Sequence, residues 1–203
     1  MHPEKIFLMG GTFNPPHLGH AKVLHAIEKE YKPDLILLIP TAAPPHKELP
    51  RASASTEDRF AMLGLGMPAL RNMQISDMEV RRGGKSYTND TLDELLRIYP
   101  EAAFYLVVGS DMFLSMETWH AFRQLLGKCT LVTVSRNEED GEKIADYKQH
   151  LEEKYGAKII ILKMEPFVVS SSLIRDVVKN GGDISALVDE EVREYIEKKG
   201  LYR

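Results

Sequence analysis

The stretch Lys5-Ile6-Phe7-Leu8-Met9-Gly10-Gly11-Thr12-Phe13-Asn14-Pro15-Pro16-His17-Leu18-Gly19-His20 decides the fold. Its first residues are a short, continuous apolar run of the kind found in strands covered on both faces. Gly10 and Gly11 end that run, and with no Cβ they let backbone come close to a ligand. Pro15-Pro16 stiffens the turn, and a helical period follows, so the stretch reads as a strand-to-helix junction. His17 and His20 lie three residues apart at the start of that helix and project to one side. On that side the helix N-terminus favours anions, so glycine turn, imidazoles and helix end together suit phosphate oxygens. A His-x-x-His pair by itself is more often a capping or surface feature. A metal reading lacks its third ligand, because no nearby Cys, Asp or Glu completes a set. His25, five residues beyond His20, faces elsewhere and reads as surface. There is no Gly-x-Gly-x-x-Gly, and the second apolar run ends Ile39-Pro40-Thr41 without an acid for a ribose, so a dinucleotide fingerprint fails.

Outward from this junction, short apolar runs alternate with helical-period segments. Strands are predicted at residues 5–9, 35–39, 73–80, 104–108, 130–134 and 158–162, the third more polar and nearer an edge. Leu92, Leu95, Leu96 and Tyr99 make one helical stripe, and Ile144, Tyr147, Leu151 and Tyr155 another. The expected fold is α/β: a doubly wound, mostly parallel, Rossmann-like sheet of five or six strands with helices on both faces. A short C-terminal helical tail follows, with helices at residues 171–179 and 189–199. The proline-containing residues 40–55 read as a long loop after a parallel strand, a place where function concentrates. No repeat, linker or low-complexity tract divides the chain, so residues 1–203 read as one domain, with 166–203 a helical subdomain.

The 203 residues carry 43% hydrophobic and 28% charged side chains, average values that exclude disordered, collagen-like and disulfide-scaffold classes. A formal net charge of −4 argues against a nucleic-acid-coating surface, though not against a small basic pocket for a phosphorylated metabolite. The single cysteine, Cys129, can form no internal disulfide and suits a reducing cytoplasm. The start Met1-His2-Pro3-Glu4-Lys5 is no signal peptide, and no apolar run approaches the roughly 20 residues of a membrane span.

Five segments, in order, carry a resemblance: Gly10 to His20 as quoted; Pro44-Pro45-His46-Lys47; Gly84-Lys85-Ser86-Tyr87-Thr88-Asn89-Asp90-Thr91-Leu92; Gly109-Ser110-Asp111 with Trp119; and Val169-Ser170-Ser171-Ser172-Leu173-Ile174-Arg175. The first resembles the signature of the His-x-Gly-His nucleotidyltransferases. The set together is similar to bacterial nicotinate-nucleotide adenylyltransferase, and the ending Tyr195-Ile196…Leu201-Tyr202 also looks like that family's tail.

The resemblance implies that ATP and nicotinate mononucleotide give deamido-NAD and pyrophosphate, with Mg2+ accompanying ATP and no protein metal site. The attacking phosphate is already an anion, so positioning and charge neutralisation suffice without a general base. By resemblance, His17, His20 and Arg175 are catalytic, His20 at the α-phosphate and His17 by the β- and γ-phosphates. Gly10, Gly11, Thr12, Phe13, Gly109, Asp111, Arg136, Ser170 and Ser171 are assigned to ATP. Lys47 is assigned to the mononucleotide phosphate, Trp119 to stacking on the pyridine, and Thr88, Asn89 and the Trp119-His120 backbone to its carboxylate. The bland readings are simple helix capping for the serines and Asp111, a core aromatic for Trp119, and a solvated lysine for Lys47. Ser135-Arg136-Asn137-Glu138-Glu139 departs from the family's Arg-Pro-Gly, which bears on the aim of Arg136. Ser172 replaces a frequent Thr, and Asn14 a common Asp.

Within the same fold, pantetheine-phosphate adenylyltransferases, cytidylyltransferases and a nicotinamide-mononucleotide-preferring enzyme are the alternatives, and a non-catalytic nucleotide sensor is the alternative of another class. The first two lack the Ser-Tyr-Thr…Thr-Leu segment, and the retained His17, His20 and Arg175 argue against a sensor. Partners are small molecules, not nucleic acid or membrane, with a homo-oligomer left open.

Overall fold

The computed structural model describes residues 3–43, 53–135, 138–162, 164–165 and 167–203. Six strands form one parallel sheet in the order β3-β2-β1-β4-β5-β6. They are β1 (Lys5–Gly11), β2 (Leu35–Pro40), β3 (Met73–Ile75), β4 (Ala103–Gly109), β5 (Thr130–Val134) and β6 (Ile159–Leu162). The order reverses between β1 and β4, so their carboxyl ends flank the crevice where open α/β sheets take ligands.

Alternate residues of β1 enter two cores, which is why its apolar run is continuous. Ile6 and Leu8 pack on one face with Leu92 and Leu95 of α4 (Thr88–Ile98) and Ile144 and Leu151 of α7 (Glu138–Tyr155). Phe7 and Met9 pack on the other with Val23, Leu24 and Ile27 of α1 (Leu18–Tyr31) and Leu63 of α2 (Thr56–Gly66). Both predicted helical stripes face the core, with Leu96, Tyr99, Tyr147 and Tyr155 at its margin. The doubly wound expectation holds.

The expected strand over residues 73–80 is corrected. Pairing with β2 ends after Ile75, apart from a Ser76 N–H to Leu38 carbonyl bond of 2.8 Å. The chain then forms α3 (Met78–Arg82), whose neighbouring residues Met78 and Glu79 are both buried. Two consecutive buried residues break the period of two that a half-exposed edge strand needs. The edge position itself is as expected.

Three short elements follow β4: α5 (Ser110–Leu114), a 3-10 turn at Met116–Thr118, and α6 (Phe122–Leu126). Beyond β6 come α8 (Ser171–Lys179), capped by the Ser170 hydroxyl, and α9 (Glu190–Lys199), capped by Asp189. Ile174, Val192, Ile196 and Tyr202 join Met62 of α2 in a third core. The tail thereby folds back on α2, beside the first strand-to-helix junction. Among the described residues no helix is long and apolar enough to cross a membrane.

Candidate active site

The junction after β1 is tethered from several sides. Gly19 lets α1 begin against the chain that enters α8: a Cβ there would stand 2.5 Å from Phe167 Cε2 and 2.7 Å from Val169 Cγ1. Phe13 sits in the left-handed region at φ 45°, and the Asn14–Pro15 peptide is cis. A bulky residue keeps such a backbone conformation only where its surroundings impose it. Here Arg175 Nη1 donates to the Asn14 carbonyl at 2.8 Å and Ser171 Oγ to the Pro15 carbonyl at 2.7 Å. From below, the fully buried Arg59 donates through Nη1 to the carbonyls of Thr12 and Thr41, each at 2.9 Å. Burial pulls the Arg59 guanidinium below its ordinary pKa, yet an arginine keeps its charge in a protein.

On this scaffold His17 and His20 stack with ring centroids 3.7 Å apart at 24°. The backbone N–H of His17 donates to His20 Nδ1 at 3.2 Å. A backbone N–H can only donate, so Nδ1 is the acceptor and the proton of neutral His20 lies on Nε2. The expectation that free N–H groups at the start of α1 add to the anion site is trimmed, because Leu18 N–H already bonds the Leu187 carbonyl at 3.0 Å.

A cleft of about 350 Å³ opens between the ends of β1 and β4. Gly10, Gly11, Thr12, Thr88, Gly109, Trp119 and His120 are among the residues that line it. His120 leans on Tyr87 with ring centroids 4.4 Å apart. Phe13 is buried, its ring 5.0 Å from that of His20. Asp111 is exposed on the first turn of α5. Asn89 is not brought to the cleft. It is buried, with Oδ1 accepting from Lys128 Nζ at 2.8 Å. The Trp119 N–H bonds the Met116 carbonyl at 3.0 Å, so of the expected backbone pair that donor is already used. Ser170 caps α8 by accepting from Leu173 N–H at 3.1 Å. Lys47 and Arg136 lie outside the described residues, as do most of the 40–55 loop and the Pro44-Pro45-His46-Lys47 segment.

Three contributors escape sequence reasoning. Arg59 falls on the helix stripe Arg59, Met62, Leu63 and Gly66, all buried, and an arginine on an apolar stripe was the available signal. Glu79 lines the cleft, bonded at Oε1 by the Thr91 hydroxyl at 2.8 Å, and burial pushes its carboxyl pKa up. Glu117 carries the turn that delivers Trp119. Its carboxylate accepts from Tyr155 Oη at 2.5 Å, from His150 Nε2 at 3.3 Å when that ring nitrogen is protonated, and from Lys154 Nζ at 3.4 Å. The Tyr155 hydroxyl above all, with His150 and Lys154, holds the carboxyl down at about 2.

A depressed carboxyl stabilises the fold above its ordinary value, and that contribution is lost as pH falls through the folded value. Glu117→Gln is therefore expected to melt below the wild-type chain at pH 6. The gap should shrink on acidification from about 4.5 towards 2. Melting curves across that range check it, and a gap that widened would contradict the tether.

Residues 8–177 match the cytidylyltransferase-like family. The chain is 35% identical to a probable nicotinate-nucleotide adenylyltransferase of Lachnoclostridium phytofermentans, over 98% of this chain and 99% of that one. It is also 35% identical to one of Carboxydothermus hydrogenoformans over the full length of both. The chain belongs to the cytidylyltransferase-like family, in its nicotinate-nucleotide adenylyltransferase branch. The fold agrees with a Plasmodium falciparum nicotinic acid mononucleotide adenylyltransferase solved with NaAD, at a TM-score of 0.78 and 19% identity over 98% of this chain and 97% of that one. The family match begins within β1, spans the other five described strands and ends within α8, so α9 and Tyr202 lie beyond it.

Proposed function

We propose that this chain transfers the adenylyl group of ATP to the phosphate of nicotinate mononucleotide, releasing pyrophosphate and forming deamido-NAD. The observation that carries the reading is the pairing of two subsites at the β1–β4 switch point: an aromatic-walled cleft and a stacked His17–His20 pair clamped from α8. The family membership of the full-length relatives points the same way.

In this reading the pyridine ring stacks on Trp119, and its carboxylate meets the N-terminal turn of α4 at Thr88, where helix N–H groups favour negative charge. The mononucleotide phosphate attacks the α-phosphorus in line while pyrophosphate departs. Lys47 is assigned to the incoming phosphate and Arg136 to the ATP side. His20 donates Nε2–H to the α-phosphate as charge builds there, and His17 and Arg175 neutralise the departing oxygens. Gly10 to Thr12 and Gly109 let the nucleotide lie against the strand ends, and Ser170 and Ser171 hold the start of α8 beside it. Among the described residues no three His, Cys, Asp or Glu converge. A Mg2+ carried on ATP phosphates and water needs no such cage. Asp111 is assigned either to the ATP ribose or to that ion's water shell, and the ion, when bound, would supply charge neutralisation at the leaving group. Cys129, buried and with its thiol pushed up to about 12 by desolvation, takes no part.

The test is pyrophosphate release from ATP and Mg2+ with nicotinate mononucleotide, nicotinamide mononucleotide or phosphopantetheine as acceptor. Turnover is expected with the first at the highest kcat/KM. Turnover with phosphopantetheine alone would replace this reading, and none with any acceptor would make the chain a binding protein. Trp119→Ala is expected to raise the acceptor KM about tenfold to a hundredfold, the worth of ~1–3 kcal/mol for one ring stacked on an aromatic. The KM for ATP should stay within about twofold. Initial-rate kinetics with each substrate varied in turn check it.

A further inference from the structure

Tyr202 follows α9 and lies outside every role assigned above, yet it is buried, and its hydroxyl donates to Asn14 Oδ1 at 2.8 Å. We infer that Tyr202 is a positioning residue for adenylyl transfer, fixing Asn14 and through it the loop that carries His17 and the carbonyl gripped by Arg175. The inference rests on the proposed adenylyl transfer and adds a residue to it.

Asn14 is 1% exposed and its side chain works as a joint. Oδ1 accepts from Tyr202 Oη and also from Ala54 N–H at 3.1 Å, while Nδ2 donates to Ser53 Oγ at 3.0 Å. Its backbone carbonyl takes Arg175 Nη1. One residue thus joins the phosphate loop, the far end of the long loop after β2, the α8 cation and the tail. The neighbouring Phe13 is in the left-handed region, so the loop has a conformation to lose if a tether goes. Tyr202 is itself held at φ 67°, packed in the core of Met62, Ile174 and Ile196. Burial pushes its phenol above the ordinary value, so it stays a donor at any working pH. Buried in that core, it reaches the loop by its hydrogen bond to Asn14.

A second tyrosine supplies the control. Tyr195, on α9, donates to Asp58 Oδ1 at 2.8 Å. That bond ties the tail to the first turn of α2 through Asp58 and makes no direct contact with Asn14.

The experiment compares Tyr202→Phe, Tyr195→Phe, Asn14→Ala and the Asn14→Ala/Tyr202→Phe double variant by pyrophosphate release at saturating ATP, Mg2+ and nicotinate mononucleotide. Rates are taken well below each variant's melting temperature. Tyr202→Phe is expected to lower kcat about tenfold, the loss from one misplaced catalytic hydrogen bond. Both KM values should stay within about twofold. Tyr195→Phe should keep kcat within about twofold, and Tyr202→Phe should cost nothing further once Asn14 lacks its side chain. Three results would overturn the inference: Tyr202→Phe within twofold of wild type, Tyr195→Phe as slow as Tyr202→Phe, or multiplying losses in the double variant. If Tyr202→Phe does not fold, Asn14→Ala decides: a kcat loss upholds the joint and a loss confined to KM overturns it. A wild-type chain that releases no pyrophosphate overturns the functional reading itself, which separates that failure from the failure of Tyr202.

Discussion

Replacing His20 with alanine is expected to lower kcat for pyrophosphate release about 10³-fold, roughly 4 kcal/mol of transition-state stabilisation. The melting temperature should move by no more than a few degrees. The size follows from where the ring sits. His17 N–H fixes Nδ1 and the stacked His17 ring fixes the plane, so Nε2–H is held in place before substrate arrives. A preorganised donor costs no reorientation when negative charge grows on the α-phosphate, which is why deleting one costs about 10²–10³-fold where it has been measured. The fold has less at stake, since His20 is only partly buried. A proton on Nδ1 would oppose the His17 N–H, so the His20 contribution belongs to the neutral ring. Steady-state kinetics and melting curves on both chains check it. A His20→Ala rate within a few-fold of wild type would remove His20 from the chemistry.

What could be read before the structure, and what could not, divides by the range of the interaction. Strands β1, β2 and β4 were legible because both faces are covered, leaving continuous apolar runs closed by glycine or proline. The helical stripes of α4 and α7 were legible by the same local logic. The third strand was over-extended because Met73 and Ile75 set a period of two that Met78 and Glu79 do not keep. At the site, the glycine turn and the histidine spacing are local and stand out in the chain. Asn89 shows the limit of reading neighbours together. One residue past Thr88 on a helix is a turn of about 100°, which carries its side chain off the cleft wall towards Lys128. The clamps on the loop after β1 had no local pattern to find. Arg59 reaches Thr12 across 47 residues, Arg175 reaches Asn14 across 161, and Tyr202 reaches Asn14 across 188. Only the fold sets those ends together, because the tail packs on α2 and α2 lies under the loop.

Arg175 carries the other large effect, and two substitutions separate its two duties. Its guanidinium bonds the Asn14 carbonyl through Nη1 and the Ser172 hydroxyl through Nη2 at 3.1 Å, and the fork has further donors for phosphate oxygens. Arg175→Ala removes the tether on the phosphate loop and the positive charge together. Charge-assisted bonds of this kind are worth about 1.5–3 kcal/mol each. Losing the loop contact and a phosphate contact therefore predicts a fall in kcat/KM for ATP of about 10²- to 10⁴-fold. Arg175→Lys keeps a point charge but cannot hold the Asn14 carbonyl and a phosphate from one rigid fork. It should recover about tenfold over alanine and no more. If loop geometry is the larger share, the lysine variant will sit near alanine in kcat while its KM for ATP returns towards wild type. If charge is the larger share, kcat will return as well. Initial rates with ATP varied at saturating nicotinate mononucleotide, repeated from low to high salt, measure both quantities. The wild-type advantage should shrink with salt mainly to the extent that an exposed charge carries it, since the part-buried carbonyl contact is less screened by ions. A kcat/KM for Arg175→Ala within about fivefold of wild type would mean that α8 packs beside the phosphate loop without acting on it.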